Sequence, residues 1–173
     1  LIVERCNEDR NNLKNELNKI KNYLTNKKKI SSEEILKIIN LSENYELSEL
    51  IDNCLAKNKS KVTNILNENN YNSDDCIIIL RTFLSKAKRI LKLAVQLEQN
   101  KDIYKTINAA RPPIFWKDKE IVKIQLNKWT PKKIKELIKN INDIELEIKK
   151  NYNNSILIVT NFILEKSRFE ISN

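Results

Sequence analysis

A chain of 173 residues, 40% hydrophobic and 32% charged, can bury one ordinary core and has too many apolar side chains to read as disordered. Glycine and histidine are both absent, which excludes phosphate-cradling loops, the dinucleotide fingerprint, histidine acid–base or triad chemistry, and mixed Cys/His zinc sites. The net charge of +9 suits approach to a polyanion, although a composition rich in lysine, asparagine and isoleucine also arises from AT-rich coding.

These exclusions predict a chain with no catalytic site, no metal and no cofactor. The nearest carboxylate pair, Asp74 and Asp75, sits at a helix start, where adjacent side chains point about 100° apart and favour the helix dipole over an acid–base dyad. No apolar run approaches the roughly 20 residues of a membrane span. No basic, apolar, small-residue leader pattern is present, and the opening Leu1, Ile2 and Val3 without methionine is expected to be internal to a longer protein. Cys6, Cys54 and Cys76 lie far apart on apolar stripes, which predicts reduced, core-packed thiols and a cytoplasmic setting.

Apolar residues at spacings of three and four run through nearly the whole chain, so the fold class is all-α. Leu13, Leu17, Ile20 and Leu24 predict a first helix over Asp9 to Leu24. Lys27 to Lys29 form a polar connection, and Ser31 with Glu34 has the spacing of a capping box for a second helix carrying Ile35, Ile38 and Ile39. Leu41 to Glu46 is polar and unpatterned, which places a domain boundary near Glu43 and divides the chain into residues 1–42 and 43–173.

Leu47, Leu50, Ile51, Cys54 and Leu55 then define a third helix, and Asn58 caps a fourth with Val62, Ile65 and Leu66. After the polar run Asn67 to Asp75, with Ser73 as the expected cap, the longest stripe runs from Ile77 through Phe83 and Ile90 to Leu97. Asp102 to Ala110 predicts a short helix stopped by Arg111, Pro112 and Pro113, because proline disfavours the helical region for the residue before it. Ile114, Phe115 and Trp116 read as extended or turn, with one aromatic packed and the other exposed.

A further helix is predicted over Asp118 to Lys128. Thr130 as cap and Pro131 at the first helical position start the next, whose stripe is Ile134, Leu137, Ile138, Ile141, Ile144 and Ile148. Asn151 to Asn154 close it, and Ser155 is the expected cap of a last helix carrying Ile156, Val159, Phe162 and Ile163.

Four stretches, in one order, resemble a known family. They are Asn15 to Ile20 with Ile30 to Ile35; Leu50, Ile51, Asp52 and Asn53 through Lys57, Ser60, Lys61, Ile65 and Leu66 to Ile79, Leu80, Arg81, Thr82 and Phe83; Arg111 to Lys117 with Gln125, Leu126 and Trp129; and Ile144, Glu145, Ile148, Lys149, Asn151 and Tyr152. From Asp9 to about Lys166 the chain resembles the C-terminal part of the delta subunit of the bacterial DNA polymerase III clamp loader.

The resemblance implies part of a small helical lid domain, then a helical collar domain of about five to seven helices. It implies a non-catalytic role within a polymerase (nucleotidyltransferase) holoenzyme, with the gamma/tau ATPase subunits and delta prime as collar partners and primed DNA nearby. In that family the sliding clamp is contacted through an N-terminal domain absent from this sequence. The family's Gly-Asp before the fourth helix is here Lys57 and Asn58, and later helix-end glycines fall among Glu68 to Asn72 and Asn151 to Asn154. Asparagine is the next best left-handed residue, so positive φ is expected near Asn69 and Asn153.

Tyr152, Lys149 and Lys150 are DNA-contact candidates because family collars present an aromatic near the primer-template junction; Phe115 and Trp116 could serve the same junction. The bland reading is a surface tyrosine after a helix and aromatics filling a gap between helices. Lys86, Lys88, Arg89 and Lys92 are subunit-interface candidates, for which a solvated cationic face is the plain alternative. A stand-alone basic helical nucleic-acid-binding module is the other functional reading, and it predicts salt-sensitive DNA binding by the isolated chain. A collar module predicts weak DNA binding alone and stable association with loader subunits. A small enzyme is disfavoured by the missing histidine and glycine.

Overall fold

The computed structural model describes residues 10–24, 30–31 and 41–168. Among them are eight α-helices and no strand, in agreement with the all-α expectation. Cys6, the Ser31–Glu34 capping box and the predicted helix with Ile35 to Ile39 lie wholly or partly outside the described residues. The chain divides into two compact units, Leu1–Leu47 and Ser48–Asn173.

In the first unit, α1 spans Arg10–Leu24. Its stripe buries Ile20, while Leu17, at the stripe's edge, is 48% exposed. Helix α2 spans Leu41–Leu55, so Leu41 to Glu46 is helical and not a connection. Serine and asparagine carry little helix preference of their own, but leucine and glutamate favour helix, and one uninterrupted helix with the apolar turns that follow carries the segment along.

In the second unit, α2 ends in a Schellman turn: Lys57 N–H donates to Cys54 O at 3.0 Å and Asn58 N–H to Asn53 O at 2.9 Å. Lys57 takes the left-handed position, φ 61. Asn58 then caps α3 (Lys59–Glu68), its side chain accepting from Lys61 N–H. At the far end of α3 the Asn69 backbone stays extended, φ −112, and its side-chain amide donates to Ile65 O at 2.9 Å. The expected positive φ at Asn69 is therefore wrong, because the side chain satisfies the terminal carbonyl without a left-handed turn.

The central element is α4, Ser73–Asn100, 28 residues long. Its cap is Asn72, not Ser73: Asn72 Oδ1 accepts from Asp74 N–H and Asp75 N–H, and Asp75 returns the bond by accepting from Asn72 N–H at 2.8 Å. Asn outcompetes Ser here because Asp75 stands three residues on, where it can complete the reciprocal box. Cys76, Ile79, Leu80, Phe83, Ala87, Ile90, Leu93 and Ala94 form its buried face. The helix stops at left-handed Lys101, φ 55, whose N–H reaches Leu97 O at 2.8 Å.

Asp102 caps the short α5 (Ile103–Asn108) through Lys105 N–H. The chain then passes the cis Arg111–Pro112 bond and a 3-10 turn at Trp116–Asp118 into α6 (Lys119–Lys128). Thr130 caps α7 (Pro131–Lys150) with proline in the first turn, as the sequence predicts. Ile134, Leu137, Ile141 and Ile148 of its stripe are buried. A 3-10 turn at Tyr152–Asn154 leads into α8 (Ser155–Lys166). Asn153 inside that turn has no positive φ, which corrects the second expected left-handed site. Ser155 is the first residue of α8 and not its cap.

α7 and α8 pack along α4, α8 also meets α3, and α5 and α6 cover the rest of α4. Phe83 of α4 meets Phe162 of α8 with ring centroids 5.8 Å apart and tilted by 53°, a geometry that suits the aromatic quadrupoles.

Candidate nucleic-acid and subunit-facing surfaces

Two polar centres hold the second unit together, and they account for several of the predicted site residues. In the first, Asp52 of α2 faces α4 and α6. Lys86 Nζ lies 2.6 Å from Asp52 Oδ2. Gln125 Nε2 donates to Asp52 O at 2.9 Å and to Asp52 Oδ1 at 3.2 Å. Lys86 is therefore committed to the interior of its own unit. Partial loss of water, then the nearby Asp52 charge, raise the Asp118 carboxyl above its ordinary range. Gln125 is buried on the same face as Val122 and Leu126, and a glutamine at an apolar-stripe position was the sequence signal for it.

The second centre is at the α2 Schellman turn. Trp129 is 6% exposed and its Nε1–H donates to Leu55 O at 2.6 Å, satisfying a helix-terminal carbonyl. The Lys57 ammonium stands 4.1 Å from the centre of the Trp129 ring and donates to Lys166 O at 2.7 Å, where a cation complements the C-terminus of α8.

Of the predicted cationic row, Arg89 Nη2 donates to Pro112 O at 3.2 Å and to Pro113 O at 3.0 Å, and Lys92 Nζ to Arg111 O at 3.3 Å. The row thus holds the proline loop against α4 while leaving its charges at the surface. Lys88 is exposed. The loop presents Phe115 half-buried and Trp116 68% exposed, with ring centroids 5.8 Å apart. Lys117 Nζ lies 5.3 Å from the Trp116 ring, a neighbour that sequence adjacency to the aromatic pair could have indicated.

Tyr152 occupies a different end of the bundle. Its hydroxyl donates to Asp74 Oδ1 at 2.8 Å, and that bond raises the phenol above its ordinary range. Lys149 pairs with Glu145 at 2.6 Å, and Lys150 is exposed. Lys149 and Lys150 stand there with Asp74, Asp75 and Glu145, so the Tyr152 end carries no excess of cations. By contrast, the loop that carries Trp116 has Lys117 beside the ring, is held to α4 by Arg89 and Lys92, and has Asp118 as its local acid. Asp74 and Arg89 are 15 positions apart on α4, about 22 Å along its axis at 1.5 Å per residue. The structure therefore separates the two aromatic candidates, and a single unpaired base cannot stack on both.

The cysteines complete the picture. Cys54 and Cys76 are buried, and Cys54 Sγ lies 3.4 Å from Ile163 O. Burial pushes the Cys54 thiol from 9.0 up to about 12, against the smaller opposing pull of Lys57 and Lys166. A raised thiol pKa contributes stability that is whole below pH 9, where the unfolded chain also keeps its proton. It is lost as pH rises toward 12, at up to about 1.4 kcal/mol per pH unit. Urea titrations between pH 9 and 11 should therefore show a steeper loss of stability for the native chain than for Cys54→Ala; equal slopes would sink this assignment. Among the described residues no cluster of metal-ligating side chains occurs, and no helix is long and apolar enough to cross a membrane.

No family model, no curated protein and no solved structure matches the chain.

Proposed function

We propose that this chain is a non-catalytic assembly module, the C-terminal lid and collar part of a clamp-loader delta subunit that helps place a sliding clamp on primed DNA. The observation that carries the reading is contact between the stretches that resemble the family. Asp52 of the second stretch bonds to Gln125 of the third, and Lys57 of the second lies on Trp129 of the third. Stretches of one family domain are expected to share an interior, as these two do. Lys57 adds support, since its φ of 61 falls where the family has glycine.

Within this reading the seven helices α2 to α8 make up the collar, and its partners are the gamma/tau ATPase and delta prime subunits. Trp116 is the better stacking surface for an unpaired base, because it is exposed with Lys117 beside its ring while the Tyr152 hydroxyl is tied to Asp74. Lys88 is the cleaner probe of a subunit interface, since reversal at Arg89 would also release the Pro112 and Pro113 carbonyls.

Co-purification tests the proposal. Coexpressed with the ATPase and delta prime subunits, the chain is expected to elute with them as one complex, and Lys88→Glu to weaken that association. Elution as a separate species would reject the collar assignment. In a reconstituted loader Trp116→Ala is expected to reduce affinity for primed DNA by about 1 to 3 kcal/mol, the range for one base–aromatic stack, while Tyr152→Ala leaves it unchanged.

A further inference from the structure

The start of α7 carries a feature that neither the bundle nor the collar reading uses. Lys132, Lys135 and Lys139 are exposed, on the side of α7 away from buried Ile134, Leu137 and Ile141. They recur at three- and four-residue spacing and so form one outward row rising about 10 Å. Lys128 and Lys133 flank it, and Glu136 is the acid among them, so residues 128–139 hold five lysines against one glutamate. Among the described residues no ion pair engages the three lysines of the row. The first turn of α7 has no acidic residue, and cations there oppose the helix dipole. The row is therefore not explained as a device that stabilises its helix.

We propose that this row is a track for the phosphate backbone of duplex nucleic acid. Three observations select that ligand. No aromatic side chain lies in the row, which removes the stacking platform that single strands require. No apolar anchor lies in it either, and protein interfaces rely on such anchors and are poor in lysine. An anionic membrane would need the apolar face of α7, which is buried in the bundle. What remains is a row of like point charges, the complement of a continuous phosphate line, with affinity in the range of about 10⁻⁴ to 10⁻⁶ M typical of binding without sequence preference. The proposal does not depend on the collar assignment.

Fluorescence anisotropy with the whole chain and a labelled 20-base-pair duplex tests it across a salt series. Lys132→Gln, Lys135→Gln and Lys139→Gln together should weaken binding about tenfold or more near 0.1 M salt. They should also flatten the slope of log affinity against log salt by roughly 2.7, at about 0.9 per phosphate contact. The triple variant should melt no lower than the native chain, since two of its three positions lie past the first turn and the third opposes the dipole. A charge-matched triple elsewhere, Lys59→Gln, Lys101→Gln and Lys105→Gln, should keep most of the binding. Equal losses from the two triples would overturn the proposal, as would tighter binding of poly-glutamate or anionic phosphatidylserine vesicles than of the duplex. Failure to co-purify with loader subunits, with duplex binding intact and row-dependent, would reject the collar reading alone.

Discussion

Replacing Trp129 with alanine is expected to destabilise the second unit by about 3 to 5 kcal/mol, the range for deleting a buried aromatic. The indole is 6% exposed, its N–H holds Leu55 O at 2.6 Å, and its face carries the Lys57 ammonium. Alanine would leave a cavity, a buried carbonyl without its donor, and a lysine in a left-handed conformation with less to hold it there. Trp129→Phe separates these losses: most of the packing stays and the hydrogen bond goes, for a cost of about 1 to 3 kcal/mol. Urea unfolding followed by circular dichroism gives both numbers. A change under about 1 kcal/mol for alanine would show that the turn is held by its backbone bonds alone. The chain has two tryptophans, so fluorescence offers an independent check. Trp129→Phe leaves exposed Trp116, with red-shifted and readily quenched emission, whereas Trp116→Ala leaves a shielded indole.

Asp52→Ala should cost about 3 kcal/mol, because it strands the Lys86 ammonium and removes one of the two acceptors of the Gln125 amide. The Asp52 and Lys86 side chains keep only 18% and 23% of their exposure, so the ion pair is largely shielded from water. Losing the carboxylate leaves an ammonium between packed helices and takes one acceptor from the Gln125 amide. The cost belongs to the stranded charge and not to the pair as such. Asp52→Leu with Lys86→Met, apolar at both positions, should therefore recover much of the loss. A double-mutant cycle measures the coupling, expected at about 1 to 3 kcal/mol for residues in direct contact. Additive effects would mean that the two side chains are independently solvated.

Helix order was legible in the sequence because its signals are local. The apolar period of α4 and α7, the Asn58 cap and the Thr130–Pro131 start each depend on residues within one or two turns, and each appears where the pattern puts it. Where two local caps competed, the choice turned on a third residue: Asp75 completes a box with Asn72 and cannot do so with Ser73. Left-handed turns were harder, since the sequence argument ranked asparagine above lysine. Asn69 reaches its carbonyl with its side chain and needs no such turn. Lys57 accepts the strain, and its ammonium reaches a ring and a carbonyl more than 70 residues away in the chain.

The candidate surfaces divide in the same way. By itself the sequence determined an all-helical chain, the absence of glycine and histidine chemistry, and the positions of its cations and aromatics along each helix. Only the tertiary structure decided what those side chains face. It turned Lys86 inward to Asp52, set Arg89 and Lys92 to hold the proline loop, tied Tyr152 to Asp74 and left Trp116 exposed beside Lys117. The reason is physical: helical period and capping are settled by neighbours a few residues apart, whereas a polar side chain's role depends on which carbonyl or carboxylate the packing of distant helices brings within about 3 Å of it.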